Sequence, residues 1–266
     1  MTDKELSEEL RLSVSKTKCF NQCKKQFEFN YILKFPKKER DYHILGKFCH
    51  KVLEDFHRSY VNGSINPYNI EMGNAFKSAL IEFKQGMTPA MKKECWDIID
   101  KYLRLITDDK KNNSAANVID VEKNFSLPIG ENIILNGMID RIQIDADNVL
   151  HVADYKTTKN KKYLKNDWFQ LLTYAYIMIL EDPNIKKVRA SYVLLRHDFE
   201  YITTEFLVPE ILAIKDKYLD YASKIRTEKD YTPTPTALCN YCDFQEHCDA
   251  GKTKSYGQNI FGEVNW

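Results

Sequence analysis

At 266 residues, with 43% hydrophobic and 29% charged residues, the chain is long enough to bury a real core and has the composition of a folded protein, not a disordered one. No apolar run approaches the ~20 residues a membrane-crossing helix needs, and the opening MTDKELSEELRLS lacks the apolar core of a signal peptide. A cytoplasmic protein with no membrane partner is therefore expected, and its net charge of +1 excludes a polycation whose overall charge would bind nucleic acid.

Residues 4 to 110 read as helical, in the stretches SKTKCFNQCKKQFEFNYILK, ILGKFCHKVLEDFHRSYV, IEMGNAFKSALIEFKQ and AMKKECWDIIDKYLRLI, each with apolar residues three and four apart. Alternation then sets in at NVIDVEKNFSLPI and continues through NIILNGMIDRIQID and VLHVADYKTT, predicting three consecutive strands with turns at Gly130-Glu131 and Asp147-Asn148. DWFQLLTYAYIMILE returns to helical spacing, VRASYVLLRHD and EYITTEFLV are strand-like, and PEILAIKDKYLDYASKIRTE predicts one long helix opened by Pro209. Prolines 233 and 235 keep YTPTPTALC extended, so that it can lead to a cysteine-bearing appendage. Two basic clusters, Lys34, Lys37, Lys38 and Arg40, and Lys156, Lys159, Lys161, Lys162 and Lys165, could contact phosphates or could simply be solvated surface.

In the second and third predicted strands, Asp140 follows Gly137 closely, and Asp154 and Lys156 stand two residues apart, hence on one strand face. A short turn joins these strands, so both aspartates can converge on one divalent cation with the lysine beside it. That set matches what phosphodiester hydrolysis requires: charge neutralisation, an activated water and help for the leaving oxyanion. Taken alone, an Asp-x-Lys tripeptide is more often a surface ion pair.

Seven cysteines, an odd number, suit reduced thiols better than a closed disulfide framework. Cys49 and Cys95 lie in helical stretches as small apolar residues. Cys239, Cys242 and Cys248 form a Cys-x2-Cys-x5-Cys group flanked by Tyr241 and Phe244, and with an upstream fourth cysteine it could hold zinc or an iron-sulfur cluster. Spacing alone leaves that choice open.

GMIDRI, then VADYKTTK, then QLLTY resembles the core of the PD-(D/E)XK nuclease superfamily, in its RecB-like and Cas4-like branch. The resemblance runs from SVSKTKCFNQC to the last cysteine. It implies an α/β, restriction-endonuclease-like core, a central mixed sheet flanked by helices, with an N-terminal helical layer over 1–115, the nuclease core over 116–207 and a C-terminal helix and cysteine segment over 208–266, all one nuclease domain. It also implies catalytic roles for Lys156, Asp154, Asp140, Gln170 and Tyr174, and a metal site at His50, Asp140 and Asp154 for Mg²⁺ or Mn²⁺. His50 sits four residues after Gly46 and four before Glu54, all on one helical face, and an imidazole there can complete an oxygen-rich shell. Glu54 and Glu122 are acidic candidates for supporting roles.

The same resemblance selects a [4Fe-4S] cluster held by Cys23, Cys239, Cys242 and Cys248. Lys24 stands where relatives carry proline, and Cys19, one helical turn earlier, is the spare candidate. The implied activity is a metal-dependent DNA exonuclease working on single-stranded DNA or duplex ends, with a separate helicase, recombination or CRISPR adaptation protein as partner. GKT at Gly251 to Thr253 is no phosphate loop, since Glu246 occupies the place of the required glycine. The alternatives are a non-catalytic nucleic-acid-binding module of the same fold and a zinc-stabilised phosphoesterase.

Overall fold

The computed structural model describes residues 9–38, 40–108, 117–164 and 167–252. Lys165 of the second basic cluster, Thr253 of GKT and most of the acidic opening lie outside the described residues. The chain divides into two compact, discontinuous units, one formed by Glu39–Asn124 and Met138–Leu212, the other by the remainder.

In the first of these, helices α3 (Asp41–Val61), α4 (Tyr68–Glu82) and α5 (Pro89–Asp108) pack as a layer. Their apolar stripes, with Phe48, Val52, Leu53 and Phe56 from α3, Met72 and Ala75 from α4 and Ile99 and Tyr102 from α5, share one core with Ala153, Tyr155, Val193 and Leu195 of the sheet. The strands are the second half of β3 (Ile133–Ile144), then β4 (Leu150–Lys156), β5 (Lys187–Leu194) and β6 (Glu200–Leu207). β3 and β4 run antiparallel, β4 and β5 parallel, and β5 and β6 antiparallel. A parallel pair needs a crossover, and α6 (Phe169–Glu181) supplies it between β4 and β5. α6 is buried almost all round, from Leu171 through Ile179, which is why its sequence is apolar on every face. β4 is buried from Leu150 to Tyr155, as a central strand covered on both faces must be.

The second unit begins with β1 (Leu10–Leu12), which pairs parallel with Ile133–Leu135, the start of β3. Sequence reading placed these residues in a helical region. Three residues are too few to show alternation, so a strand of this length leaves no periodic signal. α1 (Val14–Gln22) is capped by the Ser13 hydroxyl, which accepts from the Lys16 amide at 3.2 Å. The expected continuous helix breaks at Cys23, whose backbone is extended (φ −160°, ψ 113°), before α2 (Lys24–Phe27) resumes and widens into a π turn over Glu28–Ile32. The long helix expected after Pro209 is likewise two, α7 (Val208–Leu212) and α8 (Ile214–Thr227), parted at Ala213. Short turns over Ala237–Tyr241 and Gln245–His247 lead to α9 (Asp249–Lys252); Cys239 lies in the first, and Cys242 and Cys248 directly follow the first and the second.

β2 (Val118–Gly130) pairs with β3 and runs from one unit into the other. At Gly137 a Cβ would stand 2.6 Å from Cζ of Phe125, whose ring lies against the bare glycine backbone. Gly137→Ala should therefore lower stability by about 1–3 kcal/mol, the usual penalty of overpacking. In a Phe125→Ala background the same change should cost clearly less by chemical denaturation; equal costs in both backgrounds would show that the ring is not the obstacle.

Candidate active site

The site forms where the β3–β4 ladder stops. Paired residues run from Ile144 and Leu150 up to Arg141 and Ala153. The next position would pair Asp140 with Asp154, but β4 continues alongside β5 instead, as far as Lys156 and Leu194. The amide of Tyr155 donates to Asp140 Oδ2 at 2.8 Å, so a carboxylate takes the place of a ladder acceptor. The carbonyl of Tyr155 lies 3.0 Å from His50 Nε2. A carbonyl only accepts, so Nε2 is the donor in this contact. Nδ1 faces Asp140 Oδ2 at 3.4 Å. The two pair as ions when the imidazole carries both protons, and a cation could take the place of that proton.

α3 brings His50 to this point because Gly46, one turn earlier, has no side chain. A Cβ there would meet Thr157 Oγ1 at 3.1 Å, so glycine lets the helix approach the end of β4. Glu54, the next residue on that face, is tied to Arg58 Nη2 at 3.1 Å and Lys51 Nζ at 3.3 Å.

The other half of the site is a closed polar network. Lys156 Nζ is 2.5 Å from Asp154 Oδ2 and donates to Gln170 Oε1 at 3.0 Å. Gln170 Nε2 donates to Asp154 Oδ1 at 2.7 Å and lies 2.8 Å from the Tyr174 hydroxyl, which itself donates to Asp154 Oδ1 at 3.2 Å. Gln170 and Tyr174 stand one turn apart on α6, which is what lets both reach one carboxylate. Asp154 is 2% exposed, and apart from the ion pair its Oδ2 has no hydrogen-bond partner.

Crowding of negative charge shapes the acidities. Burial, then the Asp154 charge, push the Asp140 carboxyl up to about 6. Burial, then the charges of Asp140 and Glu54, push Glu122 up to about 8. Burial alone would pull Lys156 down, but the Asp154 and Asp140 charges outweigh it and the ammonium is held above its ordinary value.

Ligand atoms of His50, Glu122 and Asp140 all lie within 4.8 Å of one another. One imidazole nitrogen with carboxylate oxygens, beside the Asp154–Lys156 ion pair, fits a hard divalent cation such as Mg²⁺ or Mn²⁺. Asp154 stands outside that three-residue group, although its charge is felt at Asp140. Glu122, which sequence reading gave only a supporting role, stands inside it. Regular strand alternation gives no sign of this, because it is the left-handed backbone at Glu122, seen only in the folded chain, that re-aims the side chain.

In the other unit, Cys23, Cys239, Cys242 and Cys248 line one small cavity with Phe29, Pro233 and Gln245, and Cys19 is not among its lining residues. Backbone amides point at two of the sulfurs, Thr234 at Cys23 (3.5 Å) and Thr236 at Cys239 (3.4 Å). Burial pushes the Cys19 thiol up to about 11, and Cys242 is raised for the same reason. Phe29, Phe35, Phe244 and His247 pack as an aromatic cluster beside the cavity, and Lys38 pairs with Glu246 at 2.7 Å.

A model of the PD-(D/E)XK nuclease superfamily matches residues 11–249. Curated relatives include one of the subunits of the ATP-dependent helicase/deoxyribonuclease from Streptococcus pyogenes serotype M49 (strain NZ131) and its counterpart from serotype M12 (strain MGAS2096). Each is 28% identical over 158 residues, covering 57% of this chain and 14% of the relative. The chain thus spans about a seventh of the length of those relatives. A solved structure from Eubacterium rectale, whose name makes it a candidate exonuclease, shares the fold with a TM-score of 0.50 at 13% identity, covering 91% of this chain and 92% of the other. With the match running over most of its length, the chain belongs to the PD-(D/E)XK nuclease superfamily.

Proposed function

We propose that the chain is a divalent-metal-dependent deoxyribonuclease, an exonuclease hydrolysing phosphodiester bonds of single-stranded DNA or duplex ends. His50, Asp140 and Asp154 would hold Mg²⁺ or Mn²⁺, and Cys23, Cys239, Cys242 and Cys248 a [4Fe-4S] cluster. The observation that carries this reading is the ladder break, where Asp140 and His50 Nδ1 meet next to a buried Asp154–Lys156 ion pair. A buried charge pair is costly to desolvate and is weak as a stabilising device, so its presence beside further carboxylates points to chemistry.

A bound metal ion supplies charge neutralisation at the phosphoryl oxygens and activation of the attacking water. Lys156 keeps one N–H hydrogen beyond those engaged by Asp154 and Gln170, and it is available to the negative charge that grows on the phosphate and leaving oxygen. Gln170 binds both members of the ion pair and fixes their spacing. Tyr174 shares the Asp154 oxygen and limits its rotation. His50 is held in one tautomer by the Tyr155 carbonyl, as metal-binding imidazoles are oriented by an outer partner.

The four cysteines come from the two ends of the second unit, so a centre binding all of them would contribute its binding free energy to folding. Amide N–H groups aimed at two of the sulfurs are the kind of contact that cluster-binding thiolates receive. Seven reduced cysteines suit a cytoplasmic protein. No helix among the described residues is long and apolar enough to cross a membrane. Relatives named as parts of a helicase/deoxyribonuclease suggest a separate helicase or recombination protein as partner, and the Cas4-like resemblance suggests a CRISPR adaptation protein.

Asp154→Asn and Lys156→Gln should each slow Mn²⁺-dependent degradation of end-labelled DNA by at least ~10²-fold, in line with losing one preorganised charge. Circular dichroism should remain unchanged; full-rate cleavage by either variant would refute the assignment. Anaerobically purified protein should contain iron and acid-labile sulfide. Cys23→Ser should lose both and melt at lower temperature, while Cys19→Ser keeps them. Zinc in place of iron, or iron lost only with Cys19, would contradict the cluster as proposed.

A further inference from the structure

β2 contains an irregularity that regular strand geometry does not require. Glu122 has φ +47°, left-handed backbone in the middle of a 13-residue strand, where a non-glycine residue costs about 1–3 kcal/mol. The burial phase changes at the same place: Val118 and Val121 are both buried three residues apart, and the strand's later buried residue, Ile129, keeps the phase of Val121. That is the signature of a bulge, a device that re-aims a side chain. Arg58 on α3 holds it, donating to the Val121 carbonyl at 2.7 Å while also bound to Glu54. Asp120 Oδ1 accepts from the Val121 amide at 2.8 Å.

The bulge delivers one carboxylate. Among the described residues Glu122 makes no side-chain hydrogen bond or ion pair, yet one of its oxygens lies within 4.8 Å of the ligand atoms of His50 and Asp140. Asp154, by contrast, has Oδ1 occupied by Gln170 and Tyr174 and Oδ2 by Lys156. A carboxylate held by strained backbone within 4.8 Å of an imidazole nitrogen and a second carboxylate, with no hydrogen bond of its own among the described residues, is placed as a cation ligand would be.

We propose that Glu122 is a ligand of the catalytic divalent cation, completing with His50 and Asp140 a three-residue shell that the β2 bulge is built to form. This rests on reading the site as a divalent-cation site. Asp154 then serves the ion while remaining the partner of Lys156.

Mn²⁺ binding to the full-length chain, followed by the electron paramagnetic resonance of free Mn²⁺, tests this without any turnover. Glu122→Gln should weaken Mn²⁺ binding by at least about 10-fold, the lower end of what loss of a metal-supporting residue costs. Glu122→Gly should weaken it as much while melting no lower than the wild type, because glycine adopts φ +47° without strain. That combination separates ligation from a structural role. Wild-type Mn²⁺ affinity in both Glu122 variants, with affinity lost in Asp140→Asn, would overturn the role of Glu122 alone. Affinity unchanged in Asp140→Asn as well would overturn both it and the reading of the site.

Discussion

One hydrogen bond organises the active unit: the Tyr155 amide donating to the Asp140 carboxylate at 2.8 Å. A central strand that leaves one neighbour and continues along another exposes backbone groups inside the protein, and an unpaired buried N–H costs about 1–3 kcal/mol. Here a side chain from the abandoned strand satisfies that amide, and His50 satisfies the carbonyl of the same residue. The fold thereby keeps a gap in its sheet open and lines it with an aspartate and an imidazole. What a sheet would ordinarily close has become the place where ligands meet.

The arrangement carries an electrostatic cost. Asp140, Asp154 and Glu122 crowd together, with Lys156 beside the aspartates and the Arg58 charge near Glu122, and burial together with mutual repulsion lifts Asp140 and Glu122 well above ordinary carboxylate values. The Asp154–Lys156–Gln170–Tyr174 network is held together by its own hydrogen bonds and ion pair. A separate cavity, lined by Tyr102, Gln143, His151, Arg189 and Tyr201, shares no residue with the site. Arg189 there is already paired with Asp145, Asp147 and Glu205.

Much of this was legible in the sequence, for identifiable reasons. Asp154 and Lys156 fall on one strand face by period two, and Gln170 and Tyr174 on one helix face by spacing four, so their meeting follows from local geometry. Gly46 and His50 share a face for the same reason, although only the folded chain shows that the glycine admits Thr157. The breaks were not legible. β1 is too short to alternate, and the interruptions at Cys23 and Ala213 replace single helix positions with extended or turned backbone without proline or glycine to announce them. Glu122 was underweighted because a strand read as regular hides its bulge, and the left-handed backbone that re-aims the side chain is seen only in the folded chain. Cys23 stands at one of those breaks, and its extended backbone accompanies its place on the cysteine-lined cavity.

The claim that matters most is that the gap beside Asp140 is a cation site. Anomalous X-ray diffraction from crystals of the protein soaked in Mn²⁺ addresses it without reference to activity. A single strong peak bounded by His50 Nδ1 and Asp140 Oδ2, absent in Asp140→Asn crystals, is the expected result. A well-diffracting Mn²⁺-soaked crystal with no peak there, or with its only peak elsewhere in the molecule, would contradict it.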